Sequence, residues 1–166
     1  MGLKWEYELA SYTQAKTWEE GIEPPSLEKN WDAAAFVNFT SHEGTGIFVS
    51  SKHHPTQFGT KLYHTCSLPA PEDPLGDRIK DALIPVLIQA LEGAVLTAIA
   101  TGSASLVITL PSWVPAAILV LALSEIARRA IWKRHPETPL MNIRLVCPTQ
   151  EIFDAVDHHF QGCWEL

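Results

Sequence analysis

Apolar residues recur with a helical period over two long segments in the C-terminal half of the chain. In residues 79–98 they form one stripe, and the charged residues lie off that stripe. Residues 119–131 repeat the pattern. Between the two segments lies a short apolar run, Leu106–Leu110, in which β-branched residues are frequent, as is typical of a strand buried on both faces. The pattern therefore predicts a helix, a buried strand and a second helix.

Residues 93–124, which join these elements, contain no Asp, Glu, Lys, Arg or His. A membrane-spanning helix needs about 20 predominantly apolar residues in one helical run. Gly102, which suits the left-handed position after a helix end, and Pro111 both interrupt this run. Ser112 is expected to cap the second helix, with Pro115 in its first turn. We therefore expect a helix end, a buried strand and a helix start inside a globular domain, and no membrane partner.

Further elements continue the alternation of helices and strands. Residues 142–147 are predicted as a strand, and the residues after Pro148 as a helix in which Ile152, Val156 and Phe160 share one face. The resulting α-β-α-β-α order calls for a largely parallel sheet with helices packed on its faces.

The N-terminal half is predicted to consist mainly of strands. Apolar and acidic residues alternate in residues 5–9, and residues 33–39, 47–49 and 61–67 are further strand candidates. Together the two halves predict a single domain over residues 1–166. Its expected architecture is α/β, a three-layer α-β-α sandwich with a mixed, largely parallel sheet.

Composition excludes several classes of function. The formal net charge of −7 argues against sequence-independent nucleic-acid binding, which requires Lys and Arg to neutralise phosphates. The chain has three cysteines and no CxxC spacing, which predicts neither a disulfide framework nor a zinc site. The cysteine usage indicates a reducing compartment, and we expect a cytoplasmic protein.

Histidines provide the candidate ligands for a metal ion. His53 and His54 are adjacent, and His64 follows on the next predicted strand. Adjacent residues on a strand point to opposite faces, so these three do not converge without a turn, and we expect neither a metal nor a cofactor. His64 and Cys66 share a strand face and could form a Cys–His pair. A buried cysteine that acts as a small hydrophobic residue is the simpler interpretation.

Three segments of the sequence resemble the macro domain family. The tail from Ala122 to Gln161 is similar to the amphipathic helix, linker, strand and final helix that close a macro domain. The segment WDAAAFVNFTSHEGTGIF is similar to the family's strand ending in Val-Asn with its glycine-rich loop, and TKLYHTCSLP to the strand before the long central helix. The resemblance covers most of the chain from Asn30 onward, and it implies a macro-domain-like fold that binds ADP-ribose.

The resemblance also implies where the ligand would lie. Asn38 would be near the distal ribose, and Gly44 and Gly46 would let backbone N–H groups approach ribose and phosphate, as glycine permits. The remaining implied contacts are Thr45 and Ile47 in the same loop and Ser112 and Trp113 in a second phosphate loop at a helix N-terminus. No catalytic residue is identified. The second loop, LPSWVP, departs from the family because it contains no glycine and because its prolines remove two donors.

Two functions follow as hypotheses. The first is binding of ADP-ribose, of a related adenine nucleotide or of an ADP-ribosylated protein, at loops after strand carboxyl ends, where ligands of parallel sheets gather. The second is a non-catalytic interaction or self-assembly domain that keeps the fold and has lost the ligand site. An exposed apolar surface would lead to homo-oligomer formation. This hypothesis is supported by the start of the second predicted helix, which has more apolar residues than one buried stripe needs: Trp113, Val114, Ile118, Val120 and Leu121.

Overall fold

The computed structural model describes residues 3–9, 35–44, 46–56, 59–69 and 77–161. The strands are β1 (Lys4–Leu9), β2 (Ala35–His42), β3 (Phe48–Thr56), β4 (Gly59–Pro69), β5 (Ser105–Thr109) and β6 (Asn142–Cys147). The helices are α1 (Asp77–Ala100), α2 (Ala116–Arg129) and α3 (Gln150–Phe160), with a 3₁₀ turn at Ile131–Arg134.

One six-stranded sheet organises these elements, in the order β1-β6-β5-β2-β4-β3. Neighbouring strands are parallel except β3, which forms an antiparallel hairpin with β4. At one edge of the sheet, β1 pairs with β6. The predicted fold class, α/β with a mixed and largely parallel sheet, is confirmed.

Both faces of the central strands are buried. Val37 and Ile108 on one face belong to a hydrophobic cluster that includes residues of α1, α2 and α3. On the opposite face, Phe36 and Val107 are also buried. A near-continuous apolar run on β5 is therefore explained by burial on both sides, as the sequence predicted.

The uncharged residues 93–124 divide as the pattern predicts. α1 ends at Ala100, and Gly102 follows it with a φ of 69°, in the left-handed region that glycine adopts without steric cost. After β5, α2 begins at Ala116, and Pro115 rather than Ser112 occupies the cap position, without a side-chain capping bond. The predicted Ser112 cap is therefore wrong by three residues, because the loop continues to the second proline before the helix starts.

One helix of the described residues is long and apolar enough to cross a membrane. The apolar segment of this helix, Leu83–Ala100, has a mean hydropathy of 1.9. The same helix buries Leu87, Leu91 and Ala94 in the hydrophobic cluster. It also carries Glu92, whose carboxylate pairs with Arg129 of α2 at 2.6 Å. Core helices pass the same length and composition test, so the hydropathy of α1 is weak evidence for a membrane span.

α2 lies in the middle of the helical layer, in contact with α1 and α3. Val114 and Ile118 are buried, while Trp113 and Val120 are partly buried against the cluster. Of the five apolar residues expected to form an exposed patch, Leu121 alone is exposed, at 56%. The expectation of a patch was wrong because a helix with neighbours on both sides buries more than one stripe.

β3 is longer than predicted. A short strand was expected at residues 47–49, with the two histidines after it in a loop. The structure instead extends the strand from Phe48 to Thr56, in register with β4 over its whole length. His53 and His54 therefore lie on a strand, with His53 opposite Leu62.

Candidate functional site

The two loops of the implied site follow neighbouring strands, at the carboxyl ends of those strands. β2 and β5 are parallel neighbours, so their carboxyl ends point the same way. The first loop, Glu43–Ile47, follows β2, and the second, Leu110–Pro115, follows β5. This edge is where parallel sheets bind ligands. The sheet order therefore places two loops that are more than sixty positions apart in the sequence after neighbouring strands.

Asn38 is buried within the sheet rather than exposed at the end of its strand. Its register on β2 follows the pair Val37–Ile108, so it lies level with Thr109, the last residue of β5. Thr65 Oγ1 on β4 donates a hydrogen bond of 2.7 Å to Asn38 Oδ1. The carboxamide is thus held at the level where the second loop begins, five residues before the first loop starts.

Both glycines of the first loop have backbone conformations that L-residues rarely adopt. The φ angles are 111° at Gly44 and 89° at Gly46. An added Cβ at either position would meet no heavy atom within 4 Å. The backbone conformation requires glycine here, and the space beside it is open to a ligand. Thr45 lies outside the described residues, and Ile47 is partly buried against the hydrophobic cluster.

The second loop is anchored on both sides of its exposed serine. Leu110 N–H donates to Val146 O at 3.0 Å, and Leu110 and Val114 are buried. Ser112 is exposed, while Trp113 packs partly against the cluster. Ser112 therefore lies near an edge where a ligand could reach it, and Trp113 contributes mainly to the support of the loop.

The N-terminus of α2 presents backbone donors to this loop. The first intrahelical bonds run from Ile118 and Leu119 to Pro115 O, at 3.0 and 3.2 Å. The N–H groups of Ala116 and Ala117 precede those bonds, as the first N–H groups of any helix do. The first turn of α2 contains no acidic residue. The helix dipole therefore favours an anion here, with no carboxylate in that turn to oppose it.

His42 is a residue of this edge that the sequence did not single out. It ends β2, and its Nδ1 lies 2.8 Å from Ser67 Oγ on β4. Its ring packs edge-on against Phe48, with ring centroids 4.7 Å apart. Within the described part of the chain, its buried Nε2 has no hydrogen-bond partner. An isolated histidine carries no recognisable pattern, since its partners Ser67 and Phe48 become neighbours only through the pairing of β2, β3 and β4.

The candidate Cys–His pair has the wrong electrostatics for a nucleophile. Burial raises the pKa of the Cys66 thiol to about 11 and lowers the pKa of His64 below its usual value. Both shifts favour the neutral forms, whereas a reactive pair needs a thiolate beside an imidazolium. His64 Nδ1 lies 2.8 Å from Ser51 Oγ instead. Cys66 is therefore a small hydrophobic residue of the core, as in the simpler interpretation.

Metal ligands do not converge in the part of the chain that the structure describes. None of its histidine, cysteine, aspartate and glutamate side chains form a group of three or more suited to a metal ion. His53 lies opposite Leu62, which pairs with Ala35 at the start of β2, so His53 is distant from the carboxyl end of β2.

A known structure shares this fold. The chain resembles the macro domain of ganglioside induced differentiation associated protein 2, seen in a crystal structure, with a TM-score of 0.51 and 12% sequence identity. The match covers 78% of this chain and 76% of that one. No family model matches the sequence, and no curated protein matches it. The chain therefore has a divergent macro-domain-like fold, as the sequence resemblance implied.

Proposed function

We propose that this chain binds ADP-ribose or a related adenine nucleotide, either free or attached to a protein, at the carboxyl edge of β2 and β5. The observation that supports the proposal is that two features follow neighbouring parallel strands. One is a loop with two glycines at positive φ, and the other is the N-terminus of a helix. The first allows close approach of a ligand to the backbone, and the second favours its phosphates.

Phosphate recognition in this proposal depends on the backbone. Neither Glu43–Ile47 nor Leu110–Pro115 contains Lys or Arg. The N–H groups of Ala116 and Ala117, together with those of the first loop, would replace the missing cations. Pro111 and Pro115 have no N–H, so the second loop offers fewer donors than a glycine-rich one. Glu43, exposed in the first loop, adds a negative charge near the ligand. We therefore expect moderate affinity.

Isothermal titration calorimetry with ADP-ribose, ADP and ATP tests the proposal. We expect saturable heat with ADP-ribose at ligand concentrations up to about 1 mM. A dissociation constant of about 1 mM corresponds to a binding free energy of roughly −4 kcal/mol. Light scattering on the same samples reports the oligomeric state. Absence of saturable heat with all three nucleotides, together with a stable dimer that Leu121→Glu disrupts, would favour the interaction-domain hypothesis instead.

Gly46→Val is expected to weaken ADP-ribose binding at least about tenfold, or ~1.4 kcal/mol. The branched side chain would occupy the open space beside the loop and would strain a backbone whose φ is 89°. Titration calorimetry of the purified variant measures the change.

Gly102→Val is the matched control for this variant. Gly102 also has a positive φ, of 69°, and an added Cβ there also meets no heavy atom within 4 Å. It lies before β5, at the amino ends of the parallel strands and therefore on the opposite side of the sheet from the proposed site. We expect a comparable loss of stability, roughly 1–2 kcal/mol, and unchanged ligand affinity. If the wild type and Gly46→Val bound ADP-ribose with equal affinity, the first loop would not be part of the binding site.

A further inference from the structure

A concavity lies on the helix-covered face of the sheet, and Ile47 of the first loop is part of its lining. It is a groove of about 530 Å³ between α1 and the β3–β4 hairpin. Its walls are mainly apolar, with Val49 of β3, Cys66 of β4 and Leu96 of α1 among them. Val49 is 54% exposed and Leu96 is 39% exposed. The volume falls within the range of small-molecule sites, about 300–1,000 Å³.

Two of the polar groups that line the groove are already engaged. Glu92 forms an ion pair of 2.6 Å with Arg129, and Thr97 Oγ1 donates to Gly93 O at 2.8 Å. The other polar side chains of the lining are those of Gln89, which is exposed, and His64, which is 6% exposed. Its Nδ1 is engaged by Ser51 Oγ, so Nε2 is the ring nitrogen that remains for a ligand.

The chemistry of His64 restricts the ligand. Burial lowers the pKa of its imidazole, so the ring is neutral at physiological pH and does not attract an anion. The lining also contains neither Lys nor Arg, so no cationic side chain attracts an anion to the groove. If Ser51 donates to Nδ1, then Nε2–H is a donor, and in the other tautomer Nε2 is an acceptor. A hydroxyl group satisfies both tautomers because it donates and accepts.

We propose that this groove is a separate binding site for a small, neutral, largely apolar molecule that carries a hydroxyl group, such as a phenol or an aliphatic alcohol. The apolar part lies against Val49, Cys66 and Leu96, and the hydroxyl forms a hydrogen bond with His64 Nε2. The site shares Ile47 with the first loop, and the rest of its lining lies outside the two loops.

Gly93 offers a variant that fills the groove and keeps the fold. It lines the groove in the middle of α1, and an added Cβ there meets no heavy atom within 4 Å. Leucine is also a better helix former than glycine, so Gly93→Leu adds a side chain in the open space without a helical penalty. Ala100→Leu, exposed at the end of the same helix and outside the groove lining, is the matched control.

The probe is p-cresol, followed by methyl resonances in NMR titrations of the full chain. We expect saturable shifts for the methyl groups of Val49 and Leu96. The dissociation constant should increase at least about tenfold in Gly93→Leu and stay unchanged in Ala100→Leu. His64→Phe, which keeps an aromatic ring and removes the hydrogen bond, should weaken p-cresol and leave the weaker binding of toluene unchanged.

Several outcomes would overturn the proposal. Absence of saturable shifts with p-cresol in the wild type, or equal binding to Gly93→Leu, would exclude the groove as its site. Equal affinity for p-cresol and toluene, with no effect of His64→Phe, would exclude the hydroxyl contact. Tighter binding of the anion p-toluate than of p-cresol would exclude the neutral class of ligand. Each of these results is measured with p-cresol or its analogues and without ADP-ribose, so failure of this proposal is distinguishable from failure of the proposed function.

Discussion

Ile108→Asp is expected to abolish the folded state. Ile108 is 1% exposed in β5, and its register neighbours are Val37 of β2 and Leu145 of β6. Loss of the isoleucine side chain costs about 2–5 kcal/mol, and burial of a carboxyl group without a partner adds several more. The sum approaches the whole stability of a domain, roughly 5–15 kcal/mol. Circular dichroism during thermal unfolding should show no cooperative transition.

Two control variants show whether the loss of folding in Ile108→Asp comes from the buried position or from the introduced carboxyl group. Ile108→Val keeps the apolar character and should cost about 0.5–1.5 kcal/mol. Leu121→Asp introduces the same charge on the exposed side of α2 and should change stability by no more than about 0.5 kcal/mol. If Ile108→Asp melted within a few degrees of the wild type, β5 would not be the buried central strand described above.

Cys66 and Cys147 are expected to react with a thiol reagent at least about 100-fold more slowly in the folded chain than in the unfolded chain. Burial raises the pKa of Cys66 to about 11 and that of Cys147 to about 12, both from a usual value near 9. Because the thiolate is the reacting form, its lower fraction at pH 8 slows the reaction, and steric protection slows it further. Reaction with a disulfide reagent, followed by absorbance, measures both rates.

The experiment uses Cys163→Ser, because Cys163 lies outside the described residues. A strong denaturant should restore the rate of a free thiol, and the protection should decrease as the pH rises toward the raised pKa values. Rapid modification of one thiol at pH 8 in the folded chain would mean that this strand face is accessible. Mass spectrometry of the modified peptides identifies which cysteine has reacted.

The central elements could be predicted because their patterns are local. The apolar run of β5 and the helical stripes beside it are properties of neighbouring residues, and they survive in the structure almost unchanged. β3 could not be predicted at full length because Ser50–His54 is polar and forms a strand through its pairing with β4. Leu121 and Val120 differ in exposure for a similar reason, since the neighbours of α2 are distant in sequence.

The residues of the candidate site stay a prediction from the sequence resemblance. The glycines and Asn38 could be proposed from the sequence resemblance, and the structure adds the reason for the glycines, which is their positive φ. The roles of His42 and His64 could not be predicted, because their partners Ser67 and Ser51 are defined by strand register. The groove could not be predicted either, because it forms between α1 and the β3–β4 hairpin, which are separate in the sequence.

The pairing of β1 with β6 affects how the chain can fold during synthesis. The ion pair between Glu6 and Arg144, 3.0 Å long, joins residues 138 positions apart, and Tyr7 donates a hydrogen bond to Asp157 across 150 positions. At about 5–20 residues per second, a ribosome needs roughly 7–30 s to deliver the partner of β1 after β1 itself. Throughout that interval β1 lacks β6, its partner in the folded sheet, and β5 lacks the same partner from the synthesis of residues 105–109 onward. A nascent chain halted before residue 142 would therefore display unpaired apolar strands, which chaperones bind and which aggregate.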